Sequence, residues 1–205
     1  LYDWLHLHHE DFTGQYGKFY SGYRGAAWYI EQVRTLETSA RALGFTKVSE
    51  MKLAVAKKIR DFTAGGGFMF AMCSAPDSYD IALAAEGVDI CETMFDGDGA
   101  DPNANSKLDF SKTFAFRNFT ISRDPFEYSK SNIDTYHTRG SKYGVTRTND
   151  FFSLFEFSAK WDPVPTMLCQ NHEQLIKGFA GQTFGFDKKF IKPNILIMGE
   201  NKAAN

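Results

Sequence analysis

One cysteine stands where a buried strand would give way to a helix. Three glycines, Gly65 to Gly67, lead into the apolar run 68–72, and Cys73 follows directly before Ser74, Ala75, Pro76 and Asp77. That order predicts a turn, a central parallel strand covered on both faces, a sharp turn and a helix. Open α/β sheets place their chemistry at the carboxyl ends of such strands. Cys73 is therefore the candidate nucleophile.

A thiol on such a turn lies close to the N–H groups that open the next helix, which can hold an oxyanion and favour the thiolate. We therefore assign Ser74 to the catalytic set, because its N–H follows the thiol directly. The pattern departs from the nucleophile elbow, which has glycine two residues either side, since Ala71 and Ala75 occupy those places. The alternative interpretation makes Cys73 a small buried apolar residue, a common role for a cysteine.

Imidazole and carboxylate groups gather at the end of the first predicted strand, Leu1 to His8. Alternation along it puts the aromatic and histidine residues on one face and the leucines on the other. We assign a substrate-binding role to the four residues that end it, which are His8, His9, Glu10 and Asp11. The alternatives are a hydrogen-bonded polar corner and a metal site made of His6, His8 and Glu10. Strand neighbours point to opposite faces, so His8 and His9 can share an ion only on irregular backbone.

Two later segments carry weaker signals. His172, next to Glu173, is a candidate base for the thiol, although an adjacent acid rarely orients its neighbour's imidazole. The acidic loop 96–105 invites a calcium interpretation, but Lys107 stands where an EF-hand would have its last carboxylate. Ordinary Asx turns are the alternative for this loop.

Length and composition bound the protein. Its 205 residues, 43% hydrophobic, can build one sizeable core, and we predict one α/β domain over 1–205 with a β-rich insertion over 96–157. A net charge of −2 argues against general attraction to nucleic acid. No apolar run approaches the ~18 residues that span a bilayer. Three widely spaced cysteines favour neither a disulfide scaffold nor a zinc cluster, and we predict no metal or cofactor. Both ends look cut, so we expect a fragment of a longer chain.

Hydrophobic periodicity predicts the elements around the glycine turn. Helices are expected over 28–43, with Gly44 as C-cap, over 49–62, with Ser49 as N-cap, and over 77–86. A short strand is expected over 88–92. Alternating segments at 113–121 and 151–157 predict antiparallel strands within the insertion.

Five segments, 1–19, 65–74, 86–92, 157–166 and 198–202, resemble a family of Bacteroidetes proteins usually labelled asparagine synthetase B. Its members look like class I glutamine amidotransferases and the trehalose-utilisation ThuA-like fold. The resemblance implies a flavodoxin-like α/β sheet, mostly parallel with helices on both faces, and Cys73 where those enzymes place their thiol. Their later His-x-Glu pair has no counterpart here, and the resemblance places the corresponding segment beyond Asn205. The sequence also lacks the N-terminal cysteine and the pyrophosphatase loop of a true asparagine synthetase.

Two function classes follow. The leading hypothesis is an amidotransferase-like enzyme whose Cys73 attacks a small-molecule amide or peptide substrate. The rival is a non-catalytic component of a cell-envelope assembly, with protein partners, that keeps the fold; a metal-dependent hydrolase is a further alternative. The resemblance favours a periplasmic or cell-envelope location over a cytoplasmic one.

Overall fold

The computed structural model describes residues 2–15, 19–127, 130–134, 151–154, 175–177 and 185–201. Its strands are β1 (Trp4–Leu7), β2 (Phe68–Ala71), β3 (Phe151–Leu154), β4 (Leu175–Lys177) and β5 (Gly199–Asn201). Its helices are α1 (Tyr20–Tyr23), α2 (Ala27–Ala42), α3 (Val48–Ala64), α4 (Ala75–Ala84), α5 (Thr93–Asp96) and α6 (Ala104–Lys107). Short 3-10 turns cover Phe110–Lys112 and Lys188–Phe190. None of these helices combines the length and apolar composition that crossing a membrane requires.

The described strands form two sheets. β1 and β2 pair in parallel, with Trp4 opposite Phe68 and Leu7 opposite Ala71. β3 lies between β4 and β5 and is antiparallel to both. The chain passes through α1, α2 and α3 between β1 and β2, which is the crossover connection that parallel strands need. The prediction of a mixed α/β fold is therefore confirmed.

The β-rich region differs from the prediction in two places. Antiparallel pairing is confirmed for 151–154, but both partners of this strand come from residues after 157. The segment 113–121 is not a strand; its pairing with other described residues is limited to single bridges, Phe116 with Ile191 and Ile121 with Ser131. Its backbone is instead held by Asp80 on α4, whose carboxylate accepts hydrogen bonds from the N–H groups of Phe114, Ala115 and Phe116 at 2.7 to 2.8 Å.

The prediction that β2 is covered on both faces is wrong for the part of the chain that the structure describes. Its inner residues, Met69 and Ala71, pack with Leu5 and Leu7 of β1 against α3 and α4. Both helices cover this one face. On the other face Phe68 is 58% exposed and Phe70 44% exposed, beside Trp4 at 63%.

Helix ends follow the sequence to within two residues, and α4 covers Ala75–Ala84 where 77–86 was predicted. α2 ends before Gly44, whose φ of +84° is the left-handed conformation that a C-terminal glycine adopts readily. α3 begins at Val48, so Lys47 rather than Ser49 is its N-cap. Glu50 explains the difference, because its carboxylate reaches back and accepts the N–H groups of Thr46 and Lys47 at 3.1 and 3.2 Å.

The predicted strand at 88–92 is also wrong, since these residues have no strand partner among the described residues. Side chains hold them instead. Gln15 Nε2 donates to the carbonyl of Ile90 at 2.8 Å, and Asp89 Oδ1 accepts the N–H of Cys91 at 2.9 Å.

Candidate functional site

Cys73 lies on the turn that joins β2 to α4, as the sequence predicts. Its φ of +59° is left-handed, and Asn118 is the only other described residue besides glycine with a positive φ. A side chain with a Cβ adopts this conformation at a cost of about 1–2 kcal/mol. Strain of this kind is concentrated at functional sites, where the turn presents a side chain that a relaxed backbone would not.

The start of α4 follows Cys73 directly. Ser74 is the N-cap and Ala75 the first helical residue, and no described residue accepts a hydrogen bond from the Ser74 N–H. Ala75 is fully buried beneath the turn. A small residue is therefore required there, and alanine meets the requirement that glycine meets in the nucleophile elbow.

His8 and His9 come together just beyond the end of β1. Their rings are nearly perpendicular with centroids 3.8 Å apart, and the two Nδ1 atoms are 2.6 Å apart. The backbone bends here, which supplies the irregular conformation that strand geometry would not allow. In this hydrogen bond one Nδ1 donates and the other accepts, and the ring tautomers decide which. The His8 N–H donates to Glu10 Oε2 at 2.5 Å.

Two hydrogen bonds hold the histidine segment beside the cysteine turn. The Met72 N–H donates to the Leu7 carbonyl at 3.0 Å, which continues the parallel pairing by one residue. Ser78 Oγ on α4 donates to the carbonyl of Glu10 at 2.7 Å. The structure thus brings Cys73, Ser74, His8, His9 and Glu10 to the same edge of the β1–β2 sheet.

The remaining predicted site residues are placed differently. Asp11 turns into its own loop, where its carboxylate accepts the N–H groups of Thr13 and Gly14 at 3.0 and 3.2 Å and lies 3.6 Å from Lys52 Nζ. His6 lies on the exposed face of β1, with its ring 5.2 Å from that of Phe70. His172 lies outside the described residues.

An ion cluster around Lys47 was not predicted from the sequence. Lys47 Nζ lies 2.6 Å from Asp89 Oδ2, 3.1 Å from Asp96 Oδ2 and 2.5 Å from Asp98 Oδ1. Burial acts to lower the pKa of Lys47, but these carboxylates hold it above its usual value. Asp96 and Asp98, two of the carboxylates weighed as calcium ligands, thus face an ammonium group, while Asp101 pairs with Lys107.

Potential metal ligands converge at the same cluster. Asp89, Cys91 and Asp96 offer ligand atoms within 4.8 Å of one another. Among the described residues no other group of three does so, and His6, His8 and Glu10 therefore do not form such a group. Cys91 is 1% exposed, and burial raises the pKa of its thiol. Because Lys47 already supplies the positive charge here, the trio reads as a charge cluster.

Comparison with protein-family models, curated proteins and solved structures gave no match.

Proposed function

We propose that this chain carries a cysteine-dependent amidotransferase-like site, in which Cys73 attacks the carbonyl carbon of an amide. The single observation that carries the proposal is the left-handed backbone of Cys73 at the carboxyl end of a parallel strand and the start of a helix. A buried structural cysteine has no need of a strained turn, whereas a nucleophile gains exposure and helix-terminal N–H donors from it.

The histidine pair supplies the proton transfers. An imidazole of His8 or His9 takes the thiol proton, and the thiolate adds to the amide carbon. The Ser74 N–H holds the oxyanion of the tetrahedral intermediate. Collapse of the intermediate breaks the C–N bond, and the imidazolium returns its proton to the leaving amine. Water then hydrolyses the thioester and regenerates the thiol.

The wider assignment extends the observed topology. Strands β1 and β2 are parallel, α3 lies between them in the sequence, and α4 follows β2 directly. A flavodoxin-like sheet repeats this unit. The resemblance to the proteins labelled asparagine synthetase B agrees with this unit, and with it we propose a cell-envelope location and a small amide or peptide as substrate.

Ammonia release from glutamine, asparagine and a short peptide amide tests the proposal, together with labelling by a glutamine-mimicking diazoketone. We expect turnover or a covalent adduct at Cys73, both abolished in Cys73→Ala. The matched control is Cys91→Ser, which changes a buried thiol away from the site. An adduct rate or turnover that survives in Cys73→Ala would reject the nucleophile.

A non-catalytic assembly role is the second candidate, and the outer face of the β1–β2 sheet favours it. Trp4, Phe68 and Phe70 expose large aromatic surface there. Such patches on soluble domains mark interaction sites. If Cys73→Ala leaves every activity unchanged while substitution of Phe68 by serine breaks an envelope complex, this role replaces the enzymatic one.

A further inference from the structure

Ser78 joins the helix that follows the thiol to the segment that carries the histidines. Its N–H donates to the Ser74 carbonyl at 3.3 Å, the usual bond between helical residues four apart. Ser74 and Ser78 therefore lie along one face of α4. On that face the Ser78 hydroxyl donates to the carbonyl of Glu10 at 2.7 Å. The segment after β1 thus runs beside the face of α4 that begins next to Cys73.

The lengths of its two bonds show that the Ser78 hydroxyl serves this segment rather than its own helix. A serine within a helix can bond a carbonyl one turn earlier. Here that local acceptor, the Ala75 carbonyl, lies at 3.4 Å, whereas the Glu10 carbonyl lies at 2.7 Å. Ser78 is 9% exposed, so water has little access to the bond. The hydroxyl is therefore a fixed contact between α4 and the segment after β1.

Glu10 connects this contact to the histidine pair. Its carbonyl accepts from Ser78, and its carboxylate Oε2 accepts the His8 N–H at 2.5 Å. The Nδ1 atom of His8 in turn lies 2.6 Å from that of His9. Two hydrogen bonds through Glu10 therefore connect α4 to the backbone from which the His8 ring projects.

The rest of the segment is held without the help of Ser78. The ring of Phe12 packs edge-on against that of Tyr79, with centroids 5.4 Å apart, and both residues are buried. The carbonyl of Asp11 accepts a hydrogen bond from Lys52 on α3. Loss of the Ser78 hydroxyl should therefore leave the segment packed and loosen only the bend that carries the histidines.

We propose that Ser78 is a positioning residue for the proton transfer between Cys73 and the histidine pair. It acts through Glu10 and the backbone of His8, and it fixes the bend against the helix that opens beside the thiol. The inference rests on the proposed cysteine chemistry. A general base works only from within hydrogen-bond reach, and a misplacement of about 1 Å can cost about a hundredfold in rate.

The pH dependence of iodoacetamide alkylation at Cys73 in Ser78→Ala tests this role, read by mass spectrometry on the full chain. We expect the rate at pH 7 to fall about tenfold, because a displaced imidazole stabilises the thiolate less. Above about pH 9.5, where a thiol ionises without a base, wild type and variant should react at the same rate. A bond that serves stability alone would not give this pH-dependent difference.

Three comparisons separate positioning from stability. Ser106→Ala removes a hydroxyl that donates to the Asn103 carbonyl at 2.9 Å at α6, and it should leave the profile of Cys73 unchanged. Ser78→Thr keeps the hydroxyl and should restore the wild-type profile. Cys91, which is buried, reports opening of the fold and should be labelled equally slowly in every variant.

The outcomes distinguish this inference from the proposed function. If Cys73 reacts at low pH in wild type and identically in Ser78→Ala, the positioning role is overturned and the nucleophile stands. A wild-type profile like that of free cysteine would overturn both. Faster labelling of Cys91 in Ser78→Ala, equal slowing in Ser106→Ala, or no recovery in Ser78→Thr would each overturn the positioning role.

Discussion

The N–H of Met72 donates a hydrogen bond of 3.0 Å to the carbonyl oxygen of Leu7. Each partner precedes a residue of the candidate site, since Cys73 follows Met72 and His8 follows Leu7. The last bond of a parallel pair thus fixes where the thiol turn and the histidine pair leave the sheet. Residues 65 positions apart in the chain are brought to one edge by a backbone contact that depends on no catalytic side chain.

The strained turn predicts an unusual order of stability at position 73. Glycine adopts a φ near +59° without the Cβ penalty, so Cys73→Gly should be more stable than Cys73→Ala by about 1 kcal/mol. Urea unfolding of the two variants measures the difference. The control pair is Lys58→Gly and Lys58→Ala within α3, where the alanine variant should be the more stable by about 1 kcal/mol. If the alanine variant is the more stable at both positions, the turn at Cys73 is not left-handed in solution.

Asp80→Asn, which replaces one carboxylate oxygen by an amide nitrogen, should cause a large loss of stability. Its carboxylate, 1% exposed, accepts three backbone N–H groups from the segment 114–116. Burial raises the pKa of this carboxyl, and the amide donors act against that rise. Asp80→Asn turns one acceptor into a donor that faces N–H groups, at a cost of about 2–4 kcal/mol.

The control for that measurement is Asp109→Asn. Asp109 is exposed to solvent and accepts the Ser111 N–H at 3.0 Å at a short 3-10 turn. Losing this hydrogen bond in Asp109→Asn should lower the free energy of unfolding by less than about 1 kcal/mol. Equal midpoints in urea for the two variants would contradict the anchoring role of Asp80.

These anchors show what the sequence could and could not predict. Local order was readable: alternation placed Leu5 and Leu7 inward, the glycines marked the turn before β2, and Gly44 ended α2. Residues 113–121 alternate as a strand does, yet their N–H groups bond to Asp80 from a distant helix. No local pattern carries that information, because a buried carboxylate looks like a polar helix residue in sequence.

The candidate site divides in the same way. Strand-end position predicted that the segments carrying Cys73 and the histidines leave the sheet at one edge, and the parallel pairing of β1 with β2 has this arrangement. The bend that joins the rings of His8 and His9 could not be read from residue types. Nor could the Lys47 cluster, because its carboxylates come from residues more than 40 positions away in the sequence.

Removing the Lys47 ammonium should destabilise the fold by an amount that depends on pH. Burial raises the pKa of Asp96, and the Lys47 ammonium opposes that rise. In Lys47→Met the folded-state pKa of Asp96 should rise further, and an acid whose folded pKa lies above its unfolded value loses stability as pH increases through that window. We expect a loss of about 2 kcal/mol at pH 7 that shrinks towards pH 3.

Urea unfolding of wild type and Lys47→Met at several pH values between 3 and 7 measures this. Lys58→Met, an exposed lysine on α3, is the matched control and should differ from wild type by less than about 0.5 kcal/mol at every pH. The raised pKa of Lys47 itself means that its own contribution persists through neutral pH and is lost only in strong alkali. A loss in Lys47→Met that grows towards pH 3 would contradict the cluster.

The most direct test of the nucleophile is the pH dependence of alkylation at each cysteine, read by mass spectrometry on the native protein. Cys91 is an internal reference, because it is 1% exposed and burial raises the pKa of its thiol. We predict that Cys73 is labelled at least about a hundredfold faster than Cys91 at pH 7, with half-maximal rate at a lower pH than free cysteine in the same buffer. Labelling of Cys73 no faster than Cys91 would contradict the account.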